Sequence, residues 1–173
     1  RVLCWGDNYK LQAGGTTTAP VSSPKAVKLA AADFSATRLF AGGANTCALA
    51  TSDGLLRCWG DNSSLQLRDD SSNNRSESTL PLVSVPSNIA SLVPGPSMCA
   101  VSGGKVYCWG LGSRGIARQI TDLFGVSTIP VLDNVVSLAG QTGGSSGVSC
   151  TRQQTGELRC WENGGAGGFP HDR

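Results

Sequence analysis

The sequence predicts an all-β protein: β-propeller blades of four short antiparallel strands each, about three blades in all. Three observations carry that prediction. CWGDN occurs at Cys4–Asn8 and again at Cys58–Asn62, with shorter echoes CWG at Cys108–Gly110 and CWEN at Cys160–Asn163. The four tryptophans, Trp5, Trp59, Trp109 and Trp161, stand 54, 50 and 52 residues apart, close to the period of about 40–50 residues that a propeller blade needs. Gly is frequent, at 23 of 173 residues, Lys and Glu are scarce, and no long helical period appears, a profile of short strands and turns.

Composition narrows the function classes. A chain of 173 residues with 39% hydrophobic residues can bury a core and makes one domain. The net charge is +2 with no Lys/Arg cluster, which excludes a dedicated nucleic-acid or polybasic membrane surface. No run of about 18 apolar residues marks a membrane span. The chain opens on Arg1 inside a motif, so an upstream segment is expected.

The elements repeat in a fixed order. A tail repeat covers about 1–27, and full repeats follow at about 28–83, 84–132 and 133–173. Each full repeat begins with an apolar step ending in glycine: RLFAGG (Arg38–Gly43), SLVPG (Ser91–Gly95) and SLAG (Ser137–Gly140). A cysteine-bearing hairpin comes next: Asn45–Gly60, Ser97–Gly110 and Val148–Glu162. Between repeats come SPKAV (Ser23–Val27), LPLV (Leu80–Val83) and IPVL (Ile129–Leu132), which bring each repeat to about four short strands.

Hairpin geometry sets the cysteine pairs. A two-residue Gly103-Gly104 turn suits type I′, where both central residues need positive φ, and it places Cys99 opposite Cys108. A four-residue loop, Thr51–Gly54, does the same for Cys47 and Cys58. A three-residue loop, Gln154–Gly156, does so for Cys150 and Cys160, with Gly156 in the left-handed position. Facing residues lie about 4.5–5.5 Å apart, within reach of a disulfide. Buried free thiols would not explain this shared register, and structural zinc wants C-x₂₋₄-C knuckles, which the sequence lacks. Disulfides imply an oxidising compartment, hence secretion or the cell surface. Beside each bridge the tryptophan alternates to the other strand face. Trp5, Trp59, Trp109 and Trp161 are therefore expected to pack between blades.

These residues carry a resemblance. GANTCALATSDGLLRCWGDN (Gly43–Asn62) resembles the repeat of the regulator of chromosome condensation family, and the likeness extends over nearly the whole chain. The cysteine-paired form is similar to extracellular members, such as the ectodomains of Crinkly-type plant receptor kinases and secreted microbial proteins. The resemblance implies a propeller, most often seven-bladed. The sequence departs from the pattern at Asn45, where His is usual, and in the third and fourth copies, which lose Gln-Leu-Gly after the tryptophan.

Other motifs weigh less. GLGSRG (Gly110–Gly115) fits the dinucleotide fingerprint and precedes IARQITDLF, a helix-like stretch. The matching positions elsewhere read GDNYKL, GDNSSL and ENGGAG, so the glycines belong to the repeat loop, and no cofactor is expected. The only histidine is His171, and no catalytic constellation surrounds it, so the chain reads as a non-enzyme. Asp69-Asp70 reads as a solvated loop, and no metal site is assigned. Asn62-Ser63-Ser64 and Asn74-Arg75-Ser76 are N-glycosylation sequons. Thr16, Thr17, Thr18, Ser22 and Ser23 lie in a Thr/Ser/Pro stretch suited to O-linked sugar.

The reading that follows is an extracellular structural or interaction module. It would be part of a secreted or cell-surface glycoprotein, and would mediate protein contacts or build surface filaments. The alternatives are a secreted inhibitor, a ligand-binding receptor ectodomain and, from the family resemblance, a guanine-nucleotide exchange factor for a small GTPase. Three repeats and a tail leave open strand edges. The expected partners are therefore the remaining blades of a longer, seven-bladed propeller, or head-to-tail copies of the chain. Cys4 should then bridge to a cysteine outside this sequence. Non-reducing peptide mapping is expected to find Cys47–Cys58, Cys99–Cys108 and Cys150–Cys160; a crossed pair such as Cys58–Cys99 would break the hairpin register.

Overall fold

The structure is a computed structural model and describes residues 1–29, 32–33, 35–64, 66–67, 88–110, 127–128, 133–140 and 147–163. Every regular element among them is a β-strand. In chain order these are β1 (Leu3–Gly6), β2 (Val21–Ala26), β3 (Lys28–Leu29), β4 (Ala32–Asp33), β5 (Ala36–Gly42), β6 (Asn45–Ala50) and β7 (Leu56–Gly60). They continue with β8 (Ile89–Val93), β9 (Ser97–Ser102), β10 (Lys105–Gly110), β11 (Ser127–Thr128), β12 (Val135–Gly140), β13 (Gly147–Gln153) and β14 (Leu158–Asn163).

One blade is complete among the described residues: a four-stranded sheet in the order β11-β10-β9-β8. Two more show three strands each, β5-β6-β7 and β12-β13-β14. The N-terminal pair β1-β2 corresponds to the outer half of a blade, and β3-β4 is a separate short hairpin. All pairings are antiparallel. Pro24 lies in β2, an outer strand with one partner, where a missing N–H costs no ladder bond. LPLV, IPVL, the helix-like stretch and the GLGSRG loop beyond Gly110 lie outside the described residues.

Turn chemistry sets the hairpins. Gly103 and Gly104 take φ of 56° and 76°, Gly54 takes 68° and Gly156 takes 92°, values that a Cβ-bearing residue adopts only at a cost. The resulting registers put Cys47 opposite Cys58, Cys99 opposite Cys108 and Cys150 opposite Cys160. Each pair is bridged, with Cα–Cα distances of 4.0, 4.2 and 4.0 Å.

The two faces of a blade differ, and this builds the core. Strand alternation sends the cysteine bridge to one side and the adjacent tryptophan to the other. Trp109 packs on the preceding blade's Cys47, Cys58, Leu49 and Leu56, with Met98 completing the layer. Trp59 packs in the same way on Val2 and Val27 of the N-terminal pair, with Cys4 alongside. On the other side of β9 and β10, the Cys99–Cys108 bridge meets Val135 and Leu138 of the following blade. In the two layers that hold a described tryptophan, a tryptophan face thus meets a cysteine face.

One expectation needs correction. Trp5 is 63% exposed, whereas Trp59 and Trp109 are 0% and 1% exposed. It borders a shallow groove shared with Leu39 of β5 and stays exposed there. The Trp161 side chain lies outside the described residues. Trp59→Ala should therefore destabilise by about 3–5 kcal/mol, while Trp5→Ala should stay within about 0.5 kcal/mol. Denaturant unfolding of both variants checks this contrast.

Candidate interaction surface

The loops that follow Trp5 and Trp59 lie on one rim of the described structure. Both are built from the same side chains. Asn8 is buried: its Oδ1 accepts the Ala13 N–H at 2.8 Å, and its Nδ2 donates to the Gly14 and Thr17 carbonyls at 3.0 and 2.7 Å. Asn62, 54 residues later, is also buried, and its Oδ1 accepts the Leu67 N–H at 2.8 Å. In each loop a glutamine four residues on braces the turn, with Gln12 Oε1 accepting the Lys10 N–H and Gln66 Oε1 the Ser64 N–H, both at 2.8 Å.

This folding aims one carbonyl at the next blade. The Gln12 carbonyl accepts the Trp59 indole N–H at 2.9 Å and the Thr46 hydroxyl at 2.8 Å. The Gln66 carbonyl accepts the Trp109 indole N–H at 2.9 Å. A buried indole N–H needs such an acceptor. Each loop therefore serves two blades.

Charge adds a second link across the same junction. Asp61 is buried beside Lys10, with Nζ and Oδ1 3.2 Å apart. Burial alone would raise its pKa. Hydrogen bonds from the Ser63 hydroxyl and N–H, together with Lys10, outweigh that and hold it below the ordinary carboxylate value. Gln66 Nε2 also donates to Asp61 Oδ2 at 3.2 Å, and Asn45 Nδ2 donates to the Asp61 carbonyl at 2.7 Å. Asn45, in the place of the family's usual His, is thus a buried brace of the rim.

Between the ends of β5, β8 and β12 the rim opens into a depression of roughly 480 Å³, lined by Tyr9, Asn45, Asp61, Pro94, Pro96 and Gly140 among others. Tyr9 stands 54% exposed. Tyrosine is among the residues enriched at protein interfaces. The opposite rim carries the hairpin turns, where exposed Asp53 accepts from Arg57 at 2.7 and 2.9 Å and its carboxyl is lowered to about 2, chiefly by that hydrogen bonding. Gly60, after Trp59, has φ of 113°, and a Cβ there would collide with the Ala44 carbonyl. The CWG glycine is therefore a packing requirement at this position.

The residues read from sequence fall in different places. Thr16, Thr17, Thr18, Ser22 and Ser23 are exposed. Asn74, His171 and Asp69-Asp70 lie outside the described residues. Among the described residues no three His, Cys, Asp or Glu side chains gather as metal ligands would. Asn62 is corrected: it is 0% exposed and its amide oxygen is engaged in the loop, so a glycan on it is incompatible with this fold. Sequence reading overlooked the Asn–Gln loop code, although its signal was there in two loops sharing Asn and Gln at one spacing. Asn62→Ala should cost about 1–3 kcal/mol through the orphaned Leu67 N–H. Enzymatic deglycosylation of natively sourced protein in heavy-oxygen water should leave Asn62 unlabelled.

Comparison with known proteins agrees with this geometry. Residues 37–66 match the model of the regulator of chromosome condensation (RCC1) repeat, the segment that holds β5, β6, β7 and most of the second loop. No curated protein matches in sequence. Among solved structures, human WBSCR16 superposes with a TM-score of 0.74 at 19% identity, over 97% of this chain and 47% of that one. Yeast RCC1 (Prp20), solved bound to Kap60, gives 0.69 at 18% identity, over 92% of this chain and 39% of its own. Prp20p from Saccharomyces cerevisiae, described with its binding to Gsp1p and histones, gives 0.67 at 22%, over 93% and 41%. The chain thus spans less than half the length of each. Residues 37–66 carry a match to the RCC1 repeat, and the chain as a whole has the fold of a β-propeller segment, with its three hairpins bridged by disulfides.

Proposed function

We propose that this chain is an extracellular interaction module, a propeller segment of a secreted or cell-surface protein that binds other proteins through its rim and does no chemistry of its own. The observation that carries the reading is the set of three hairpin disulfides, one in each full repeat. Such bridges persist in oxidising compartments and are rare in the cytosol and nucleus. The braced rim with Tyr9 and the prolines supports binding, since a rigid surface loses little entropy on docking. The exposed Thr16–Thr18 stretch, with Ser22 and Ser23, supports O-linked sugar, and Asn74 is the remaining N-glycan acceptor. The repeat divisions at about 28–83, 84–132 and 133–173 complete the proposal.

A second reading has one observation in its favour, the shared fold with yeast Prp20. On that reading the chain belongs to a nuclear regulator acting as an exchange factor for a small GTPase. Fractionation of native cells with alkylation before lysis separates the two. The proposed reading expects the protein outside the cell or on its surface, with all three hairpin pairs oxidised. Reduced thiols in a nuclear fraction, with stimulated nucleotide release from a GTPase, would overturn it.

A further inference from the structure

We propose that Asp53-Gly54, at the tip of the β6–β7 hairpin, is a self-modification site: the pair converts to isoaspartate through a succinimide, and Arg57 restrains the reaction by clamping the Asp53 carboxylate. The site belongs to the hairpin itself and holds whatever compartment or partner the module has.

The dipeptide sets the chemistry. The Gly54 nitrogen attacks Asp53 Cγ and the N–Cγ bond forms. The carboxyl hydroxyl leaves with the amide proton as water. Water then adds at the Asp53 main-chain carbonyl, and the bond from that carbon to the Gly54 nitrogen breaks. The chain now runs through Cβ and Cγ, with no change in mass. Addition at Cγ instead restores aspartate. A glycine after the aspartate leaves the attacking nitrogen uncrowded and the backbone free to reach the ring geometry. Only two pairs in the sequence place a carboxyl or amide side chain of this length before a glycine, Asp53-Gly54 and Asn163-Gly164, and Gly164 lies outside the described residues.

The hairpin tip opens the site. Thr51, Ser52, Asp53, Gly54 and Leu55 are all exposed. Gly54 has φ of 68°, and nothing lies within 4 Å of where a Cβ would stand. The other two described hairpin tips carry Ser102 and Thr155 before their glycines, and neither offers a side-chain carbonyl to attack.

Three contacts then hold the reacting groups apart. Arg57 Nη1 and Nη2 donate to Asp53 Oδ1 and Oδ2 at 2.9 and 2.7 Å, a bidentate clamp. The Leu55 N–H donates to Oδ1 at 3.0 Å. The Gly54 N–H, on the attacking nitrogen, donates to the Ala50 carbonyl at 2.9 Å. Hydrogen bonding from Arg57 also lowers the carboxyl to about 2, and the ionised form is the one that cannot lose water. Conversion adds one backbone atom to a turn that the Ala50 N–H closes by donating to the Leu55 carbonyl at 3.0 Å. It also takes the carboxylate out of the Arg57 fork. The Cys47–Cys58 bridge holds the two strands together below the tip, so the change stays at this rim.

Ageing the whole chain at neutral pH and physiological temperature tests the site. Isoaspartate at Asp53 is read by peptide mapping with electron-transfer fragmentation, which separates the isomers. The unfolded reference is the capped peptide TSDGLLR, Thr51–Arg57. The folded chain should convert at least about tenfold more slowly than the peptide, since one pKa unit alone changes the acid fraction tenfold. Arg57→Gln keeps most of the stem and removes the charged fork. It should speed conversion at least about fivefold on the same ground, with the Asn163 deamidation rate unchanged and the urea midpoint nearly so, as for a surface ion pair. Molar salt screens the pair and should speed the unaltered chain, which decides the matter if the variant does not fold. Equal rates in chain and peptide would overturn the site. No acceleration by Arg57→Gln, or an equal rise at Asn163 that marks general loosening, would overturn the part given to Arg57.

Discussion

The hydrogen bond from a buried indole to the backbone carbonyl of the preceding loop is the constraint on which the rest of the structure depends. Trp59 reaches back to Gln12 and Trp109 to Gln66. The bond orients the largest side chain in each of these two layers, so that Trp109 packs on the Cys47–Cys58 bridge and Trp59 on Val2, Val27 and Cys4. Without an acceptor the indole would bury an unsatisfied donor. With it, the layer closes and the rim loops are held from both sides. Apolar burial supplies most of the energy, and the hydrogen bond decides where the energy can be collected.

The disulfides act at a different level. Each joins neighbouring strands of one hairpin across a short loop, so it stiffens a blade and does not tie blades together. The link between blades is non-covalent: ring on the neighbouring cysteine face, indole on carbonyl, Lys10 beside Asp61. A blade is therefore a hard unit and a junction a soft one. This explains why a rim loop, which spans the junction, is where binding by another protein would register most strongly.

What was legible in the sequence was local. Gly103-Gly104, the Thr51–Gly54 loop and Gly156 determine the hairpin registers, because a turn of known length leaves the strands no freedom to slip. The cysteine pairing and the all-β class come with them. What was not legible depended on contacts between repeats. The exposure of Trp5 turns on what lies beside it, and its motif is identical to that of buried Trp59. Asn62 matches a glycosylation sequon, a three-residue pattern blind to burial, while its real work is done with Leu67 five residues away. The Asn–Gln loop pattern was visible as a repeat, but its purpose needed the indole that it serves, which arrives 47 residues after Gln12.

That interval has a consequence for how the chain is made. Asn8 folds its loop with partners no more than nine residues away, so the carbonyl of Gln12 is in position before Trp59 has left the ribosome. Each finished repeat is a mould awaiting the next ring, and structure spreads from the N-terminus in the order of synthesis. The third copy has Gly112 and Ile116 where the first has Asn8 and Gln12, so the side chains of this device occur in the loops after Trp5 and Trp59 and differ after Trp109. Vectorial growth by this device accounts for the two junctions closed by Trp59 and Trp109.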